Sequence, residues 1–348
     1  MPSGGQAPIR WGVIGTANIA ARAFLPALRA AGGRAVVVGS RTADRATDWA
    51  EANGVERGGS YRDVVDADDI DAVYVALPNE QHATWAAAAC AAGRAVLCEK
   101  PLTLDEPGAA RLVAAVGPDA LLWESFVFPF HPQTAVVQGL IADGRIGEPR
   151  EIHSEFHFTV GRPDNIRLSP EHGGGALYDV GCYPVRLARL LLGTEPVRAA
   201  GAMSFGAAAV DLDVAAVVDF AGGGGRLVLS AGMRRPPSTF TRIAGSDAEL
   251  RVSNPFHPAG SDTLELWVRG ACAQTWTPAG GTAFQHAIEH IHRVLRGDER
   301  PRHRAGDDSI RQARALDLIR AATTPEATAP EATAPEATAP QATTKEPQ

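Results

Sequence analysis

Cysteine, positive charge and long apolar runs are all scarce in this 348-residue chain, and each shortage excludes a class of protein. The four cysteines, Cys90, Cys98, Cys182 and Cys272, form no C-x-x-C pair and are too few for a disulfide framework, so we expect reduced thiols. A formal net charge of −7 argues against partners such as nucleic acid or an anionic membrane. The sequence has neither an apolar signal core nor the roughly 20 apolar residues of a membrane span, so we expect a cytoplasmic protein.

Short apolar runs alternate with helical segments in the first third of the chain. The runs are 11–14, 35–38, 72–75, 95–98 and 120–123, and the helical segments are 19–30, 43–52, 80–92 and 106–116. Apolar runs without alternating polarity indicate parallel strands that helices cover on both faces. We therefore predict a doubly wound, dinucleotide-binding Rossmann domain of the α/β class over residues 8–124.

A different pattern begins near residue 151. Segments 152–158, 212–220 and 226–231 alternate in polarity, and glycine-rich 221–225 reads as a hairpin turn between the last two. These segments predict a C-terminal α+β domain over 125–323, with a largely antiparallel, open-faced sheet and helices at 283–296 and 307–322. Partner chains often cover such a free face, so we expect a homodimer or homotetramer formed through this sheet.

Residues 324–348 repeat Pro-Glu-Ala-Thr-Ala three times and then lose the pattern. The repeat contains proline and no large apolar residue, so it cannot bury a core. We predict a disordered tail.

The first predicted strand runs directly into Gly15-Thr16-Ala17-Asn18-Ile19-Ala20. This segment is the Rossmann glycine fingerprint with alanine in its second and third glycine positions. The first glycine permits a tight turn and the second lets the backbone approach a pyrophosphate, so Ala17 is a departure. Because the motif joins a strand to a helix, we predict that Gly15, Thr16, Ala17, Asn18 and Ile19 bind a dinucleotide.

The end of the second predicted strand bears on the choice between NAD and NADP. An NAD enzyme usually places an acidic residue here to bind the ribose 2′-hydroxyl. This chain has Ser40, Arg41 and Arg45 instead, and guanidinium groups suit a 2′-phosphate. We predict NADP rather than NAD; the alternative is a solvated arginine pair at a helix start.

Two further segments follow predicted strands at the carboxyl edge, where such sheets bind ligands. Pro78 ends one strand, and Asn79 either caps the next helix or contacts the cofactor. We include Pro78, Asn79, His82, Glu99 and Lys100 in the predicted cofactor site, with a structural role as the alternative for Glu99.

The most informative stretch sets Asp179 and Tyr183 four positions apart, just behind the glycine run 173–175. On a helix the two side chains share a face, and the glycines let the backbone pass close to a ligand. A phenol titrates near ~10, so an acid/base tyrosine needs a nearby cation, which Lys100 offers. We predict that Tyr183 accepts a proton as a phenolate and that Lys100 lowers its pKa and holds the reacting oxygen. Asp179 either orients Lys100, accepts a substrate hydroxyl or only caps the helix.

Several histidines resemble metal ligands without forming a convincing site. Residues 286–290 match the inverted zinc-protease pattern H-x-x-E-H, which we interpret as a chance match on an amphipathic helix of the second domain. His153 and His157 are expected at a sheet surface. No metal is predicted.

With these motifs placed, the chain resembles the glucose–fructose oxidoreductase / inositol dehydrogenase / rhizopine-catabolism (Gfo/Idh/MocA) family. The stretches that carry the resemblance run in family order over about residues 9–320: 15–20, 77–82, 98–102, 130–133 and 173–187. The resemblance implies a nicotinamide at Lys100, in a site between the two domains. It also implies an oxidoreductase acting on CH–OH groups.

The branch is indicated by Tyr183, where many members of the family carry histidine. Tyrosine here is similar to the branch of NADP-dependent D-xylose 1-dehydrogenases, dihydrodiol dehydrogenases and deoxysugar 3-ketoreductases. Segment 164–168 is most similar to the aldose dehydrogenases, but Pro129 stands where that branch often has arginine. We expect oxidation of a D-xylose-like aldose or a cyclic alcohol. The alternatives are NADPH-dependent 3-ketoreduction of a nucleotide-activated deoxysugar and a catalytically idle NADP-binding sensor.

Overall fold

The structure is a computed structural model that describes residues 7–277 and 280–324, so all of the predicted tail except Thr324 lies outside the described residues. Its first sheet is entirely parallel. The strands of this sheet are β1 (Arg10–Ile14), β2 (Arg34–Ser40), β3 (Arg57–Ser60), β4 (Ala72–Val75), β5 (Ala95–Cys98) and β6 (Leu122–Glu124). Their spatial order, β3-β2-β1-β4-β5-β6, is that of a Rossmann sheet and confirms the predicted fold class.

Helices cover both faces of the parallel sheet. They are a π-helical turn (Ala20–Phe24) continuing into α1 (Leu25–Ala30), α2 (Ala43–Asn53), α3 (Tyr61–Val65), α4 (His82–Ala91) and α5 (Glu106–Val116). The predicted segments match these elements to within about two residues, with two exceptions. Strand β3 and helix α3 were not predicted, because β3 reads Arg-Gly-Gly-Ser and has no apolar run.

The second sheet follows a helix, α6 (Pro132–Ala142). Its strands are β7 (Pro149–Thr159), β8 (Pro196–Phe205), β9 (Asp211–Phe220), β10 (Arg226–Gly232), β11 (Arg234–Gly245), β12 (Glu249–Val252), β13 (Leu264–Val268) and β14 (Ala271–Trp276). The order is β14-β13-β12-β11-β7-β10-β9-β8, and the pairing is antiparallel except between β7 and β10. The largely antiparallel sheet is as predicted.

The two faces of the second sheet differ. A π-helical turn (Leu177–Gly181), α7 (Cys182–Leu192) and α9 (Asp307–Thr323) bury the inner face in one apolar cluster. The outer face carries ion pairs between strands, such as Arg242 with Glu151. His157 was expected at the surface and is instead only 3% exposed, and its Nε2 lies 3.0 Å from Ser230 Oγ within the sheet.

Helix α8 (Ala283–Leu295) packs where the predicted division at residue 124 did not place it. Its buried residues Phe284, Ala287, Ile288 and Ile291 share a cluster with Trp11 and other core residues of the first domain. Their spacing gives the helix one apolar stripe, and the chain returns to lay that stripe against α1. His290, from the H-x-x-E-H segment, accepts a hydrogen bond from the Arg302 N–H at Nε2 (3.0 Å).

None of the described helices is both long enough and apolar enough to cross a membrane.

Substituting Gly58 tests why β3 lacks a side chain at its centre. A Cβ at this position would overlap the backbone of Ala46 and Thr47 in α2. We expect Gly58→Ala to lower the free energy of unfolding by about 1–3 kcal/mol, the usual cost of overpacking. Gly139→Ala in α6 is the matched control, because nothing lies within 4 Å of its added Cβ and alanine favours a helix. Equal denaturation midpoints for Gly58→Ala and the parent protein would contradict this account.

Candidate active site

A cleft of about 650 Å³ lies between the carboxyl edge of the parallel sheet and segment 160–175 of the second domain. Many of the predicted site residues line it. They are Thr16, Ala17, Asn18, Ile19, Arg41, Arg45, Asn79, His82, Glu99, Lys100 and Asp179. Gly15, Ser40, Pro78 and Tyr183 are not among its lining residues. The structure therefore brings most of the prediction together in one place.

The glycine turn forms one end of the cleft. Gly15 has a φ of 106° and donates its N–H to Gly39 O (2.9 Å). A Cβ here would overlap Ala76 O, so the first glycine of the fingerprint is required by the neighbouring strand end as well as by the turn. Ala17 is half-buried and lines the cleft, so the alanine is sterically accommodated.

Two exposed arginines stand beside this turn. Arg45 donates from Nε to Thr16 Oγ1 (2.9 Å), and Arg41 lines the same cleft. Within the described residues neither guanidinium forms an ion pair with a carboxylate. Ser40 is buried and is not one of the residues that line the cleft. The two arginines leave positive charge available at the end of β2.

Lys100 is held by a buried ion network that crosses between the domains. Its Nζ donates to the Asp179 carbonyl (2.7 Å) and to Asp179 Oδ1 (3.1 Å), while Arg167 Nε donates to Asp179 Oδ2 (2.6 Å). The Lys100 and Asp179 side chains are only 10% and 15% exposed. Both carboxylate oxygens are engaged by cations, and this geometry favours the orienting role among the alternatives for Asp179.

Burial and charge act against each other in this network. Burial disfavours the charge of Lys100, but the Asp179 carboxylate outweighs it and raises the Lys100 pKa above its usual value. Burial likewise opposes the charge of Asp179, yet Lys100 and Arg167 lower its pKa. All three groups are therefore ionised at neutral pH.

Tyr183 lies in the first turn of α7, with Lys100 Nζ 5.1 Å from its ring centroid. Its ring is 6% exposed and packs against Phe126, Phe156 and Phe256 at centroid distances of 5.5, 5.3 and 5.3 Å. Burial raises the pKa of Tyr183 above its ordinary value, and Lys100 opposes that rise without overcoming it. The phenol is therefore protonated in this structure, and the phenolate that the sequence predicts as the proton acceptor stays a prediction.

Asn79 and His82, two predicted cofactor residues that line the cleft, also make contacts within the protein. Asn79 does not cap the following helical turn, and its Nδ2 donates to Gly173 O (2.8 Å) across the cleft. His82 is fully buried, with Nδ1 and Nε2 each 2.8 Å from a backbone carbonyl, those of Pro101 and Leu77. Neither ring nitrogen of His82 is left for a cofactor, so its contacts position the segment after Lys100.

The contact made by Glu99 agrees with the structural role that was the alternative to cofactor binding. Its Oε1 accepts a hydrogen bond from Tyr74 OH (2.7 Å), a fully buried phenol in β4. The carboxylate thereby ties the end of β5 to its neighbouring strand. This contact fixes the backbone immediately before Lys100.

Within the glycine run 173–175, Gly175 lies closely against another part of the protein. Gly175 has a φ of 132°, and a Cβ there would overlap Asp211 Oδ1. Asp211 Oδ2 in turn accepts the Leu177 N–H (2.7 Å) at the start of the π-helical turn. Gly175 thus makes room for the carboxylate that caps the turn carrying Asp179. Gly174 and Gly175 also line the cleft, so their close approach to a ligand stays a prediction.

Two residues of the site were missed by sequence reasoning. Arg167 lies in an irregular segment, and His257 lies in the connection between β12 and β13, with its ring centroid 5.5 Å from that of Tyr183. Arg167 belongs to segment 164–168, which the resemblance singled out, but neither residue has a spacing that could have linked it to Lys100. Only the tertiary fold brings them there.

Removing the central carboxylate should destabilise the protein. Asp179→Asn keeps the side-chain shape but leaves the buried Lys100 cation without its carboxylate, so we expect a loss on the order of 3 kcal/mol in unfolding free energy at pH 7. Because the Asp179 pKa is lowered by folding, this contribution is present at neutral pH and is lost as the pH falls through the folded-state pKa.

The matched control is Asp69→Asn, which breaks the exposed pair of Asp69 with Arg57. It should cost no more than about 1 kcal/mol. Chemical denaturation of both variants measures the difference, and similar costs for the two would refute the account of the buried network.

The sequence and the fold both match one protein family. Residues 9–118 match the family described as "Oxidoreductase family, NAD-binding Rossmann fold", and residues 134–251 match the "GFO/IDH/MocA C-terminal domain". The chain is 35% identical over 329 residues to dTDP-3,4-didehydro-2,6-dideoxy-alpha-D-glucose 3-reductase of Actinomadura kijaniata, covering 90% of this chain and 95% of that protein. It is 31% identical over 315 residues to D-xylose 1-dehydrogenase (NADP(+)) 2 of Haloferax volcanii, covering 89% and 95%.

A solved structure agrees with these matches. The crystal structure of a 3-ketoreductase from Actinomadura kijaniata in complex with NADP and TDP-benzene has a TM-score of 0.82 at 33% identity, covering 91% of this chain and 98% of that one. The two family matches and the relatives together confirm the resemblance seen in the motifs. The chain belongs to the Gfo/Idh/MocA family of oxidoreductases.

Proposed function

We propose that this protein is an NADP-dependent oxidoreductase that transfers a hydride between the nicotinamide and a CH–OH carbon of a sugar, with D-xylose-like aldoses or cyclic alcohols as first candidates. The observation that carries the proposal is the charged Lys100, fixed by Asp179 beside the ring of Tyr183. These groups lie near a cleft whose far end bears Arg41 and Arg45. The relatives include a D-xylose 1-dehydrogenase that is named for NADP(+).

The residues present fit NADP. When bound, this cofactor accepts or supplies a hydride at its nicotinamide ring. Thr16, Asn18 and the backbone of the glycine turn would hold the pyrophosphate, and Arg41 and Arg45 would hold a 2′-phosphate. The bond from Arg45 to Thr16 supports this role over a solvated arginine pair, because it fixes the guanidinium beside the turn.

Lys100 and Tyr183 have different roles at the reacting oxygen. The Lys100 cation polarises that oxygen and stabilises negative charge that develops on it. In reduction the Tyr183 phenol would donate its proton to the oxygen and become a phenolate, and in oxidation the phenolate would receive the proton of the substrate hydroxyl. Asp179 and Arg167 act through Lys100 as positioning residues, since their contacts hold its Nζ.

A second candidate is reduction of a nucleotide-activated keto-sugar. Ketone reduction would use the same groups, with the Tyr183 phenol as the proton donor. The A. kijaniata relative is named as a 3-reductase of such a sugar. Arg162 and Arg167 line the cleft, but they are paired with Asp164 and Asp179. Because their charge is already neutralised, this pairing argues against a phosphate-bearing substrate. Initial rates with aldoses, diols and keto-sugar nucleotides decide between the two candidates.

We also infer a cytoplasmic homodimer or homotetramer formed through the outer face of the second sheet. That face carries solvent-accessible side chains such as Val217 and Arg242 beside its ion pairs. A catalytically idle sensor is a weaker reading, because such a protein would have no need of the ion network that fixes Lys100.

Cofactor selectivity should follow Arg41. NADPH should bind at least about ten-fold tighter than NADH, and Arg41→Ala should remove most of that difference, because a charged hydrogen bond contributes roughly 1.5–3 kcal/mol. Titration of each cofactor by calorimetry measures it. Arg22→Ala, an exposed arginine on the first helical turn, is the control and should leave the ratio unchanged. Equal affinities in the parent protein would argue against NADP.

Tyr183→Phe should reduce turnover by ~10²–10⁴, because the ring and its packing remain while the transferable proton is lost. NADPH affinity should stay within a few-fold, and Lys100→Met should have a similar effect on turnover. Tyr178→Phe is the control: its phenol donates to Leu104 O (2.6 Å), so turnover should change little. Stopped-flow and steady-state NADPH absorbance give the rates, and near-parental turnover in Tyr183→Phe would assign the proton to another group.

A further inference from the structure

His257 presents an imidazole beside Tyr183 from a distant part of the chain. Its ring centroid lies 5.5 Å from that of Tyr183 and 5.8 Å from that of Phe156. The residue is nevertheless exposed to solvent. The imidazole therefore contacts the ring of the reacting phenol and is still accessible to a ligand.

The loop that carries His257 is clamped by a single amide side chain. Asn254 Oδ1 accepts the His257 N–H (3.1 Å), and Asn254 Nδ2 donates to the His257 carbonyl (2.6 Å) and to Asp262 Oδ2 (3.1 Å). The Asn254 carbonyl accepts a further bond from Gln133 Nε2 (2.9 Å), which belongs to one of the family-like stretches. This surface loop is thus pre-organised around one residue, as binding sites are.

The ring nitrogens of His257 are available for a ligand. Within residues 7–277 and 280–324, neither nitrogen has a hydrogen-bond partner, whereas those of His82 contact carbonyl oxygens. The protein atoms packed around the ring and the charge of Lys100 lower the His257 pKa to about 4. At neutral pH the imidazole is therefore uncharged, with one donor and one acceptor nitrogen.

A neutral imidazole matches a hydroxyl group, which also donates and accepts, better than it matches a phosphate or carboxylate. Tyr183 exchanges a proton with the reacting oxygen. Because the His257 imidazole lies next to the Tyr183 ring, it is within reach of the neighbouring substituent of the same substrate. We propose that His257 is a specificity-determining residue that hydrogen-bonds the substrate hydroxyl next to the reacting carbon. This inference rests on the proposed sugar oxidoreductase activity and extends it to substrates with oxygens on adjacent carbons.

The test compares two substrates in two proteins. The substrates are the best sugar from the panel and its analogue that lacks the adjacent hydroxyl. In the parent protein, kcat/KM should favour the hydroxylated sugar by about ten-fold or more, the effect of one hydrogen bond to a neutral group. In His257→Phe, which keeps a ring against Tyr183, that ratio should fall close to one while NADPH affinity is unchanged. His257→Asn should restore part of the preference, because an amide also donates and accepts.

The control is His153→Phe, the same substitution at a half-buried position on β7, which should keep the parental ratio. If His257→Phe keeps the parental ratio with measurable turnover, the role of His257 is overturned while the proposed function stands. If the parent turns over no sugar, alcohol or ketone, the proposed function is overturned and this inference with it. If His257→Phe does not fold, His257→Ala takes its place, and a parental ratio in His257→Ala overturns the proposal.

Discussion

The buried network of Lys100, Asp179 and Arg167 is the constraint on which the rest of the site depends. Lys100 follows a strand of the parallel sheet, while its two partners belong to the second domain. A buried charge that loses its partner is costly, so these ions favour the arrangement in which the two domains meet. The contacts of Asn79 with Gly173 and of His172 with Glu80 join the same two sides. The contacts that join the two domains therefore also bring the reactive groups together.

The sequence predicted elements better than it predicted their partners. Strands that are buried on both faces are recognisable in the sequence as apolar runs, so β1, β2, β4 and β5 were all predicted. Strands β8, β11, β12, β13 and β14 of the second sheet were not predicted. Of these, β8 and β14 are mostly exposed and show no regular alternation, because they lie at the two edges of the sheet. Helix α8 was predicted from its apolar period, but a period shows only that one face is buried and not what covers it.

The candidate site shows a similar division between residue type and environment. Lys100, Asp179 and Tyr183 were identifiable because their chemistry and flanking motifs are local. The protonation state of Tyr183 was not, since it depends on how three phenylalanines and one cation balance around a single phenol. Arg167 and His257 come from irregular segments whose position only the complete fold determines.

The return of α8 to the first domain has a consequence for how this chain is synthesised. The surface formed by Trp11, Phe24 and Leu28 emerges early from the ribosome, but the helix that shares its core is made more than 250 residues later. Until then an apolar patch on an otherwise complete Rossmann sheet faces water or a chaperone. The core of the N-terminal domain is therefore complete only when α8 has been made, and the nascent chain exposes this apolar surface through most of its translation.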